Sequence, residues 1–92
     1  MIKHMLYVVM DGIKDAEKIA GYAEEAKIRG EEPSIVAWFT AHAQSRLAMT
    51  DRDWHDVHEH MKSKKHDEEM LDALVCHVDR SIKDLRMRIE KL

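Results

Sequence analysis

A chain of 92 residues with 36% charged and 45% hydrophobic side chains, three glycines and one proline has the make-up of a single domain of long helices. Its formal charge of −3 leaves no basic surplus to neutralise phosphates, which argues against nucleic-acid binding; its opening apolar run, ending at Asp11, is far too short to span a membrane. The lone cysteine, Cys76, rules out an internal disulfide, and the start lacks a cleavage-site pattern, so a reducing, cytoplasmic setting is expected.

The first helix is expected over about 2–29. Ile2, Leu6, Val9, Ile13, Ala16, Ala20 and Ala23 recur at alternating steps of four and three, which is the spacing of a seam on one helix face. Gly12, Ala16, Ala20, Ala23 and Ala26 keep much of that face small, so another helix should approach closely. Gly30 suits the position just past a helix end, where φ is often positive, and Pro33 suits the first turn of the next helix.

The second helix is expected over about 34–62. Val36, Thr40, Ala43, Leu47, Thr50, Trp54, Val57 and Met61 hold one phase without a charge. Thr50 with Asp53 also fits a capping box that would open a new helix. The phase passes through residues 50–53 without a slip, so one continuous helix is the preferred reading. A second seam, Ile35, Trp38, His42, Ser45 and Met49, lies on the opposite side of its first half. That half should be covered twice: once by helix 1, and once by helix 3 or another subunit.

Lys62, Lys64 and Lys65 followed by Asp67, Glu68 and Glu69 mark the end of one helix and the start of the next. The third helix, over about 67–91, carries the cleanest seam: Leu71, Val75, Val78, Ile82, Leu85, Ile89 and Leu92. The predicted fold is therefore all-α. Three long antiparallel amphipathic helices form one domain over 1–92, a bundle completed by dimerisation.

The densest chemistry lies at 51–60. On a helix, Asp51, His55 and His58 project from one strip, and Asp53, Asp56 and His60 from another. A carboxylate with two imidazoles suits zinc, nickel or iron, so Asp51, His55, His58 and His60 form the candidate metal set, needing a further ligand or water. The alternative, which the sequence favours, is a solvated face flanking the Trp54–Val57–Met61 seam with no cofactor. His42 sits mid-seam without a nearby carboxylate, which reads as a packed or interface histidine. Cys76 lacks the neighbours of a nucleophile. No catalytic set is complete.

At Asp11-Gly12-Ile13-Lys14-Asp15-Ala16-Glu17-Lys18-Ile19-Ala20, then Tyr22-Ala23 and Pro33 through Trp38-Phe39, the chain resembles small ferritin-like proteins of bacterial genomes and prophages. The resemblance covers about residues 10–50, with a looser helical echo at about 70–85. It implies a helical bundle, and in metal-binding members a helix 1 carboxylate that would fall on Asp15. Helix 2 should then supply Glu-x-x-His, yet the stretch reads His42-Ala43-Gln44-Ser45-Arg46-Leu47-Ala48-Met49, without a carboxylate. A di-iron centre needs several inward carboxylates to balance its charge, so ferroxidase chemistry is not expected. The leading expectation is a non-catalytic assembly module, a homodimer or higher homo-oligomer or one that docks on another protein. Its interface would use Ile35, Trp38, His42 and Met49. The alternative is a metal-binding protein or metalloenzyme using the 51–60 cluster.

Overall fold

The computed structural model describes residues 2–63 and 68–92, with the side chains of 4–62 and 72–92. Three helices account for almost all of this: α1 (Ile2–Ile28), α2 (Pro33–Ser63) and α3 (Glu68–Glu90). The all-α reading holds, and the helix ends fall within a residue or so of those expected. The break between α2 and α3 was placed over residues that lie partly outside the described ones.

The α1–α2 turn follows from Gly30. Its φ is +72°, a conformation that L side chains adopt at a cost, and the amides after α1 close on its last carbonyls. Gly30 N donates to Lys27 O at 3.2 Å and Glu31 N to Ala26 O at 3.0 Å, the paired bonds of a Schellman stop. Pro33 then opens α2 with no amide of its own to satisfy. The Glu32 carbonyl accepts from Ile35 N at 2.9 Å and Val36 N at 3.3 Å, which starts the helical ladder.

Cross-helix contacts fix the topology. Asp15 meets Arg46 and Tyr22 meets Phe39, so α1 and α2 run antiparallel. Trp54 meets Asp79 and Asp51 meets Arg86, so α3 is antiparallel to α2. Glu24 meets Arg88, and Lys27 Nζ donates to the Lys91 and Leu92 carbonyls, so α3 runs parallel to α1. The result is an up-down-up rod of 51 × 19 × 15 Å. Its length matches the roughly 46 Å expected of a 31-residue helix at ~1.5 Å per residue.

The core is the meeting of the three predicted seams. Val9, Ile13, Ala16 and Ala20 of α1 pack with Ala43, Leu47, Trp54, Val57 and Met61 of α2, and with Val78, Ile82, Leu85 and Ile89 of α3. Small residues set how closely α1 approaches α2. A Cβ at Gly12 would overlap the Thr50 Oγ1 atom and lie 3.1–3.2 Å from its Cγ2 and Cβ. Thr50 is itself buried, and its hydroxyl donates to the Arg46 carbonyl at 2.9 Å rather than capping a new helix. α2 is therefore continuous through residues 50–53.

At the far end Arg88 of α3 forks onto Glu24 of α1, with N–O distances of 2.8 and 2.5 Å. The hydrogen bond from Arg88, and secondarily its charge, holds the Glu24 carboxyl below its ordinary value against an opposing cost of burial. A carboxylate whose pKa is depressed on folding contributes stability above its unfolded pKa, and that contribution disappears as pH falls through the folded value. Both side chains are at least a third exposed, so screening limits the pair to about 1 kcal/mol or less. In urea titrations the wild type should therefore exceed Arg88→Ala at about pH 7, and the gap should close toward about pH 3. A gap that stays constant across that range would show that Arg88 acts by packing alone.

Candidate functional site

The cluster at 51–60 lies in the second half of α2, where one helix face meets both neighbours. Trp54 is 4% exposed, and its indole Nε1 donates to Asp79 Oδ1 of α3 at 2.8 Å. Burying an indole requires an acceptor for its N–H, and α3 supplies it. The His58 ring stacks on Trp54 nearly parallel, with centroids 5.5 Å apart. Asp51 receives Arg86 of α3 at 3.3 Å.

Asp51, His55 and His58 do share a surface depression with Trp54 and Asp79, of about 460 Å³ and open to solvent. Asp53 and Asp56 lie around the helix toward His4, Met5 and Val8 of α1. His60, half-buried, does not line that depression. Among the described residues no group of three or more His, Cys, Asp or Glu side chains is placed to hold a metal ion. The strip predicted from helical spacing thus exists, but two of its three members meet other side chains. Asp51 serves an arginine and His58 an indole. His58→Ala should cost about 0.5–1 kcal/mol through the lost stacking, whereas exposed His55→Ala should stay within about 0.5 kcal/mol of wild type. Urea denaturation of both variants checks this, and equal losses would contradict it.

The carboxylate that the ferritin-like resemblance places in helix 1 is Asp15. It pairs with Arg46 of α2 at 3.3 Å, so the position opposite Asp15 holds a fixed positive charge.

The second seam of α2 is different in kind. Ile35, Trp38, His42, Ser45 and Met49 are all exposed. Trp38 stands 56% open, Met49 55% and Ile35 38%. Helical geometry at ~100° per residue puts this stripe roughly half a turn around α2 from Asp51, Trp54 and His58, which face α3. Helix α3 therefore leaves the stripe exposed, and the expectation that α3 would cover it is not met.

Local contacts hold the stripe in shape. His42 stacks on Trp38 with centroids 4.0 Å apart and rings tilted by 30°. Its Nδ1 lies 3.1 Å from the Trp38 carbonyl, a bond that requires the proton on Nδ1 because a carbonyl only accepts. Phe39 meets Trp38 edge-on at 5.1 Å and Tyr22 of α1 at 5.8 Å. Tyr22 and Phe39 extend the aromatic surface onto α1, an extension that spacing along α2 alone does not reveal. Asp79, the partner of Trp54, was also not anticipated. Its only signal was the indole's need for an acceptor.

No protein-family model matches the chain, nor does any curated protein or solved structure. Among the described residues no helix is long and apolar enough to cross a membrane.

Proposed function

We propose that the chain is a non-catalytic helical interaction module that docks through the outer stripe of α2, using Ile35, Trp38, His42 and Met49. The exposure of Trp38, stacked and buttressed yet 56% open, carries this reading. A large indole held in one orientation on the surface contributes nothing to its own core, and Trp and Met are enriched where proteins meet. Three of the chain's five aromatic residues, Tyr22, Trp38 and Phe39, gather at this patch. Contiguous apolar surface of this kind marks interaction sites more often than it occurs by chance. Single free Cys76, exposed on α3, fits a reducing cytoplasmic setting.

Hydroxyl-radical footprinting of the full chain tests the reading, comparing dilute purified protein with the same chain in the extract of its expressing cells. Docking predicts that Trp38 and Met49 react at least about threefold more slowly in the extract. Met87, 48% exposed on α3, serves as the open control and Trp54 as the buried one. Equal reactivity of Trp38 in both samples would defeat the proposal.

A further inference from the structure

We draw no further inference here: the strongest candidate, the occupant of the exposed stripe on the outer face of α2 from Ile35 to Met49, belongs to an unpartnered, largely apolar face, and nothing in the structure shows what covers it.

Discussion

Replacing Trp54 by alanine is expected to destabilise the chain by about 3–5 kcal/mol, the range for truncating a large buried aromatic. Trp54 lies at the junction of all three seams, packed with Val57 and Met61 in a core that also contains Val78 and Ile82. Native domains are typically stable by only about 5–15 kcal/mol, so the variant should be partly unfolded at physiological temperature. Phenylalanine in its place keeps most of the volume and loses the bond to Asp79, for an expected cost of about 1–2 kcal/mol. Urea midpoints read both effects, and an unchanged denaturant slope would show that the fold itself is retained. An alanine variant as stable as the phenylalanine one would mean that Trp54 is not a core residue. The contrast with Trp38 is useful: the same residue type one core and one surface, sixteen positions apart in a single helix.

The second large effect is expected at Gly12. Alanine there gains roughly 0.5–1 kcal/mol of intrinsic helix propensity, but its Cβ would enter space occupied by the Thr50 side chain. Thr50 is buried and tied to the Arg46 carbonyl, so relief requires the two helices to move apart. Overpacking of this kind costs about 1–3 kcal/mol, which outweighs the propensity gain and leaves a net loss. Thr50→Ala removes the Oγ1 and Cγ2 atoms and should recover most of that loss in the double variant, with a coupling of about 1–2 kcal/mol. Additive losses would mean that α1 and α2 do not meet at this point.

Much of the fold could be read from the residues because each helix uses one seam of regular phase. Val9, Ile13, Ala16 and Ala20, and likewise Val78, Ile82, Leu85 and Ile89, were placed by periodicity and are buried. Gly30 announced its turn because little else sits comfortably at φ +72°. What periodicity does not carry is which polar side chain on a neighbouring helix will answer a buried donor or an outward charge. The pairs Trp54–Asp79, Asp51–Arg86 and Glu24–Arg88 depend on the register between helices. That register is set by packing, such as the fit of Gly12 on Thr50, and not by the sequence of either helix alone. The same blindness made Asp51, His55 and His58 look like a ligand set. Their spacing was right for one strip, but Arg86 and Trp54 decide what two of those side chains do. The second seam of α2 was visible in the spacing from Ile35 to Met49, while its exposure was not, because α3 could have lain on either side.

Footprinting of Met49 in the wild-type chain beside Trp38→Ser, in dilute solution and in cell extract, tests the central claim most directly, that the outer stripe of α2 is a docking surface. The account predicts that Met49, 55% exposed, reacts at least about threefold more slowly in extract in the wild type and equally fast in both samples in Trp38→Ser, with an unchanged melting temperature in dilute solution. Equal reactivity of wild-type Met49 in the two samples, or equal protection in wild type and variant, would contradict it.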